Sequence, residues 1–271
     1  MRTLLVNADD FGFTHDVNSG IVEAHVSGIL TATTLMANGA AFDDAVRLSG
    51  EHPSLDVGCH LVLIGGDSLI TGKAFPSTVR QLLQAIALKR IDPFRELKAQ
   101  IERIVQAGLH PVHMDTHKHT HLFPPVLDAV ARLSSEFGIR WIRRPFDFPM
   151  EPGGLPRSKR LISAAFHTVR PRLQRVLRAH GCRSTDHFAG FSMTGRFGAQ
   201  EVVSLIRALP EGSTEFMVHP GHCTDELRAA RTRLKESRAA ELAALVAPEV
   251  KEALKESGVG LSSYRELDRR A

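Results

Sequence analysis

An α/β fold with parallel strands, in one domain spanning residues 1–271, is what the sequence predicts, and three features carry the prediction. Short apolar runs alternate with stretches of helical periodicity from the N-terminus onward. Acidic and imidazole side chains recur where those runs end, as they do in parallel folds whose sites gather at the carboxyl edge of the sheet. The length of 271 residues suits a single α/β domain. Alternation alone leaves the sheet open or closed.

The first run, 3–8, is apolar and stops at Asp9 and Asp10. Over 15–28, Val17, Ile21, Val22 and His25 fall at helical spacing and Gly28 supplies a stop. The stretch 29–36 is apolar and threonine-rich, which suits a strand; 41–48 reads as a helix and 55–63 as a buried strand. Helices over 79–88 and 93–107 precede a strand at 110–116, and a helix over 124–137 precedes a strand at 139–142. Four prolines and two glycines predict a loop over 145–156. Over 160–178, Leu161, Ile162, Ala165, Phe166, Val169, Leu173, Val176 and Leu177 share one helical face, interrupted at Pro171, and the opposite face is basic. Late strands follow at 186–191, 215–218 and 259–262.

Composition narrows the class. At 43% hydrophobic and 24% charged the chain is ordinary for a globular protein. No apolar run approaches the roughly 18–20 residues that cross a bilayer, and the first residues turn polar too soon for a signal peptide, so a cytoplasmic location is expected. Cys59, Cys182 and Cys223 are too few and too scattered for a disulfide framework or a CxxC zinc site. Between Arg140 and Arg183 there are eleven Lys/Arg against Asp147 and Glu151. That reads as a solvated basic face, with no nucleic-acid partner expected. Of fourteen histidines, five lie between His110 and His121, which is the first sign of chemistry.

Four strand ends carry reactive groups: Asp9 and Asp10, His60, Asp115 with His117, and His219. On an extended backbone the adjacent Asp9 and Asp10 point in different directions, so one can bind a metal while the other faces substrate; alternatively one of them caps the helix that follows. His60 is by itself as readily a core histidine as a ligand. His113, Asp115 and His117 alternate on one strand face, and His119 and His121 continue the alternation, either as a metal site with carboxylate support or as a solvent-facing tract. One carboxylate with two neutral imidazoles leaves coordination positions open, the arrangement of a catalytic metal. His219, just before Pro220, reads equally as a proton donor or as a histidine bonded within its turn.

Asn-Ala-Asp-Asp-Phe-Gly at 7–12, Gly-Cys-His-Leu at 58–61, Asp-Thr-His-Lys-His-Thr-His at 115–121 and His-Pro at 219–220 together resemble the YdjC-type carbohydrate deacetylases. The order of four separated motifs spans nearly the whole chain, and 260–267 is similar to the family's last strand. The resemblance implies a distorted (β/α) TIM-like barrel and removal of acetyl from an N-acetylated amino sugar, on an oligosaccharide or, as in a hopanoid-associated branch, a glycolipid. It implies one divalent ion held by Asp10, His60 and His117, with Mg2+ or Zn2+ foremost and Mn2+ or Co2+ also compatible. Asp9 would be the base and His219 the acid. His119 and His121 match motif positions without being assigned as ligands, and they are expected either to support the ligands from behind or to face substrate.

Arg143 and Arg144 follow a strand near the expected mouth, where guanidinium groups can bind sugar hydroxyls or form rim salt bridges. Trp141 can stack on a sugar or pack in the core. The basic helix at 160–178 can rest on anionic lipid if the substrate is lipid-linked, and a homodimer is compatible with the chain. Competing readings are a metal-dependent phosphoesterase or glycosidase on a similar barrel, and a non-enzymatic metal-binding protein that uses the histidine tract.

Overall fold

The computed structural model describes residues 1–148 and 157–270, with side chains from 168 onward in the second stretch. Most of the loop predicted over 145–156, with Glu151, and the side chains of Leu161, Ile162, Ala165 and Phe166 lie outside the described residues. The chain opens with β1 (Arg2–Phe11), α1 (His15–Val26), β2 (Ala32–Leu35), α2 (Phe42–Glu51), β3 (Asp56–Leu61), α3 (Val79–Ala87) and α4 (Pro93–Gln106). It continues through β4 (His113–Thr116), a 3-10 segment (His117–Leu122), α5 (Pro124–Phe137), β5 (Trp141–Ile142), α6 (Arg157–Ala179), β6 (His187–Ala189) and α7 (Ala199–Ala208). The last elements are β7 (Gly212–Val218), α8 (Asp225–Ala229), α9 (Glu236–Val246), α10 (Pro248–Glu256), β8 (Gly260–Leu261) and α11 (Tyr264–Arg270).

Every strand pair is parallel, and the sheet order is β5-β4-β3-β2-β1-β7-β6. The sheet curls until its edges meet: isolated bridges join Trp141 to Arg183 and Asp147 to Phe188, giving a distorted (β/α) barrel. β2 reaches only the far half of β1, and β8 fills the gap by pairing with Thr3 and Leu4. The expected strand at 260–267 is therefore cut to two residues, and the chain turns helical at Tyr264. Nor does Pro171 interrupt its helix, since α6 runs through it. Leu173 and Leu177 of α6 are buried in the main core, while Arg170, Arg172, Arg175 and Arg178 face outward. No helix among the described residues is long and apolar enough to cross a membrane.

Strand alternation sorts side chains into two environments. Leu4, Val6 and Ala8 of β1 pack outward into the large core beneath the helices. Leu5, Asn7 and Asp9 point into the barrel, whose lumen is filled in layers. At the amino end Leu5, Ala32, Trp141 and Tyr264 form a small apolar plug. Trp141 thus lies at the opposite end from the site and packs in the core, its Nε1–H donating to Asp268 (3.1 Å), so the sugar-stacking reading is set aside. One layer up, His113 stacks on Tyr264 with ring centroids 4.1 Å apart and donates through Nε2 to Asn7 Oδ1 (3.2 Å). Gly58 makes room for that ring, because a Cβ there would stand 2.5 Å from His113 Nε2. Above this layer the lumen turns charged.

Candidate active site

β1 delivers two carboxylates to one place by breaking its own regularity. Its register against β2 shifts between Ala8 and Phe11, and Asp10 adopts φ 70°, a left-handed conformation that costs a residue with a Cβ about 1–2 kcal/mol. Strict alternation would have turned Asp9 and Asp10 apart; the bulge brings both to the carboxyl end of the barrel. The competing role as helix cap is taken by another residue, since Thr14 Oγ1 accepts the Val17 N–H at the start of α1. Asp9 and Asp10 are thereby left for the site, and both are 4% exposed.

Asp10 Oδ1 lies 3.3 Å from His60 Nε2 and 3.3 Å from His117 Nδ1, and those two nitrogens are 3.2 Å apart. Ligand atoms held about 2.1 Å from one divalent ion stand about 3.0–3.4 Å from one another between octahedral and tetrahedral angles, so this donor set fits a metal without rearrangement. The fold brings together Asp10, His60 and His117, the three ligands implied by the family resemblance, and beside them a second group of Asp9, His60 and Asp115. His60 and Asp10 are enclosed, whereas the His117 side chain is 29% exposed, so the cluster opens to solvent on that side.

A second layer fixes the first. His60 Nδ1–H donates to Asp115 Oδ1 (2.6 Å), so Nε2 is the nitrogen that faces Asp10 and His117 and the one whose proton an arriving ion would displace. Burial would lower His60, yet Asp115 and Asp10 raise it to about 10 in the absence of a competing cation. Asp10 Oδ2 accepts from Arg238 Nη2 of α9 (2.5 Å), leaving Oδ1 for the cluster; burial would raise this carboxyl, and Arg238 with both histidines holds it well below the usual carboxylate range.

Arg143 occupies the centre of the charged layer rather than the rim where its sequence position suggested a substrate contact. It is 2% exposed and donates to Asp9 Oδ2 (2.8 Å) and Oδ1 (2.7 Å) and to Glu215 Oε1 (2.6 Å), while Nη1 lies 2.5 Å from Asp115 Oδ2. Alternation explains the placement: Arg143 is two residues from the inward-facing Trp141. Burial would raise Asp9, but Arg143 above all keeps it far below the ordinary carboxylate range. The half-buried Arg144 donates to Thr185 O (3.1 Å) and Asp186 O, which fastens the segment before β6.

His219 follows β7 and directs Nε2 to 3.9 Å from Asp9 Oδ2. Burial pushes it down to about 4, so the imidazole is neutral at rest. Its backbone N–H donates to Glu241 Oε2 (2.6 Å), and burial in turn pushes Glu241 up to about 7. Gly20 of α1 touches the turn behind His219, where an added Cβ would meet Gly221 Cα at 2.4 Å.

The histidine tract departs from its expected alternation. β4 ends at Thr116, and Lys118 (φ 54°) and His119 (φ 51°) are left-handed, so His119 and His121 leave the face that carries His117. His121 is fully buried: Nε2–H donates to Arg143 O (3.1 Å) and Nδ1 accepts from Thr116 Oγ1 (2.7 Å), which is a bracing role away from substrate. His119 is 6% exposed, with its ring 5.6 Å from that of Phe191. His113, read with the tract, belongs to the layer below. Arg238, Glu241 and Glu215 escaped the sequence reading.

The loop bearing His219 is tied to α1 by Asp16, whose carboxylate accepts Thr224 N–H (2.9 Å), Thr224 Oγ1–H (2.8 Å) and Leu227 N–H (3.1 Å). Burial would raise Asp16, but these donors take it below its ordinary value. A depressed folded value gives stability that is present above the unfolded pKa, near 4, and lost as pH falls through the folded one. Asp16→Asn is expected to lower stability by about 1–2 kcal/mol at pH 7 and by less at pH 3, read from urea midpoints at the two pH values.

An acid and imidazole cluster at the carboxyl end of a parallel barrel, backed by buried arginines, suits a barrel hydrolase. Residues 3–256 match the family described as YdjC-like protein. Carbohydrate deacetylases of Brevibacillus brevis and Geobacillus stearothermophilus are each 34% identical to this chain, covering 97% and 98% of it and 99% and 98% of their own lengths. The chain belongs to the YdjC-like family. Among solved structures, an Enterococcus faecalis protein proposed to cleave cellobiose phosphate superposes with TM-score 0.74 at 22% identity, over 98% of both chains. A lactam utilization protein of Thermus thermophilus gives 0.50 at 14% identity, over 97% of this chain and 100% of its own. Those two likenesses bear on the fold alone.

Proposed function

We propose that the chain is a carbohydrate N-deacetylase that hydrolyses the acetamide of an N-acetylated amino sugar, on an oligosaccharide or a glycolipid, to acetate and a free amine. The observation that carries this reading is the convergence of Asp10, His60 and His117, with Asp9 and His219 beside them at one open barrel end. A divalent ion at those three donors, Mg2+ or Zn2+ with Mn2+ or Co2+ as compatible alternatives, supplies Lewis-acid polarisation of the carbonyl and acidifies water.

Asp9, kept ionised by Arg143, takes the proton of the attacking water. His219, neutral at rest, needs a proton before it can act as an acid, and Asp9 Oδ2, 3.9 Å from Nε2, can supply it through one bridging water. One proton thus passes from water to Asp9 to His219 and on to the departing nitrogen as the C–N bond breaks. A second reading exchanges the two roles, because a neutral imidazole is the stronger base and Arg143 lowers the proton affinity of Asp9.

The rival chemistries fit less well. A phosphoesterase commonly holds a second metal, and the second donor group, Asp9, His60 and Asp115, already receives the Arg143 guanidinium. A glycosidase pair needs one carboxyl with a raised pKa facing substrate; Asp9 and Asp10 are both lowered, and the raised Glu215 and Glu241 are engaged by Arg143 and by two backbone N–H groups. Contact with an anionic membrane, should the substrate be lipid-linked, would fall to the outward arginines of α6.

The test is acetate release by the metal-reconstituted protein from N-acetylglucosamine, chito-oligomers and lipid-linked N-acetylglucosamine. Release from at least one is expected, with Asp9→Asn slower by about 10²–10⁴-fold at full metal occupancy. No release from any of them would sink the reading.

A further inference from the structure

Arg238 and Glu241 lie three residues apart on one face of α9, each 1% exposed, and each reaches a different half of the site. Arg238 grips Asp10. Glu241 joins two backbone segments: Oε2 accepts the His219 N–H (2.6 Å) and lies 3.8 Å from Nδ1 of the same residue, and Oε1 accepts the Gly195 N–H (2.8 Å).

Both segments lie past strand ends, where no ladder partner orders the backbone. β7 stops at Val218, so a carboxylate from a helix takes the N–H of His219. Gly195 sits in the 190–197 turn that follows β6, with φ 71°, and a Cβ there would press on Leu234 Cδ2 at 2.9 Å. The same turn is held at its start by Asp147, whose two oxygens accept the N–H groups of Phe191 (3.1 Å) and Ser192 (2.8 Å). Phe191 then faces His119. In its ionised form Glu241 suits this task because both its oxygens accept, whereas an amide would turn an NH2 toward one of the two N–H groups.

We propose that Glu241 is a positioning residue for His219: it fixes the backbone that carries the imidazole and locks the 190–197 turn to it, so that one side chain of α9 sets both the acid and the adjoining wall of the site. The inference rests on the deacetylase reading with His219 as the acid. Misplacing a reacting group by about 1 Å costs about 100-fold in rate, which sets the size of the expected effect.

The full chain, reconstituted with Zn2+, is compared as wild type, Glu241→Gln, Glu241→Asp and His219→Ala on two substrates. One is the N-acetylated sugar that the wild type turns over, whose amine must be protonated to leave. The other is 4-nitrophenyl acetate, whose phenolate leaves without a proton. Both Glu241 variants are expected to lose about 10–100-fold in kcat on the amide, with KM and Zn2+ affinity within about twofold and the ester rate within about threefold. His219→Ala should show the same selectivity more severely. If His219→Ala loses both substrates equally while the Glu241 variants follow it, positioning stands and the acid assignment fails. If His219→Ala is selective while both Glu241 variants keep the amide rate, or lose both substrates and Zn2+ together, the positioning proposal is overturned.

Discussion

Replacing Arg143 by methionine is expected to weaken the fold by about 3–5 kcal/mol at neutral pH, the loss typical of a buried charge network deprived of one partner. One guanidinium holds Asp9, Asp115 and Glu215 at 2.5–2.8 Å in a layer closed from water. Methionine fills similar volume but leaves those carboxylates facing one another. The pH dependence separates this cause from lost packing. Without the cation, burial raises Asp9 and Glu215 above their unfolded values, and burial already raises Glu215 in the native protein. A raised folded value favours the protonated form, so the variant keeps more stability in acid and loses it as pH rises through the raised value. Urea midpoints at pH 4.5 and pH 8 should therefore fall further behind wild type at the higher pH. Lysine restores the charge without the fork that reaches several carboxylates at once, so Arg143→Lys should recover only part of the loss. A methionine variant with the wild-type midpoint at both pH values would remove Arg143 as the centre of the network.

Much of this arrangement was legible in the sequence because of where strands end. Asp9, Asp10 and His219 follow apolar runs, His60 lies one residue from the end of β3 and His117 comes directly after β4, and parallel topology collects such strand ends on one face. Conformations that depend on tertiary context were not legible: the left-handed Asp10 that unites two carboxylates, and the left-handed Lys118 and His119 that scatter the histidine tract. Arg143 was misplaced by reading its position along the chain instead of its parity with Trp141. Arg238 and Glu241 did leave a signal. With Leu242 and Leu245 they sit at spacings of three, four and seven, so two opposite charges stand on the apolar face of α9, where each needs a buried partner. The bends that bring α9 under Asp10 and His219 have no such local signature.

The metal donors provide the other large expected effect. Asp10→Ala, His60→Ala and His117→Ala should each weaken Zn2+ binding by more than about 100-fold, since loss of an outer partner alone commonly costs 10–100-fold. Asp115→Asn should fall within that smaller range, because an amide at 2.6 Å from His60 Nδ1 no longer dictates its tautomer. His121→Ala should leave the affinity within the same order, for its ring braces Thr116 and Arg143 O and offers nothing to the cluster. A histidine-tract metal store predicts the reverse order, with binding that survives loss of Asp10 and His60. Chelator competition on the purified variants decides between them without any substrate. Its pH dependence adds a second check. Burial lowers His60, but Asp115 and Asp10 bring it to about 10, so at neutral pH an incoming ion must displace a proton from the ring. Affinity should then climb about tenfold per pH unit through the neutral range. Asp115→Asn should flatten that slope, because the carboxylate that holds the proton on His60 is gone.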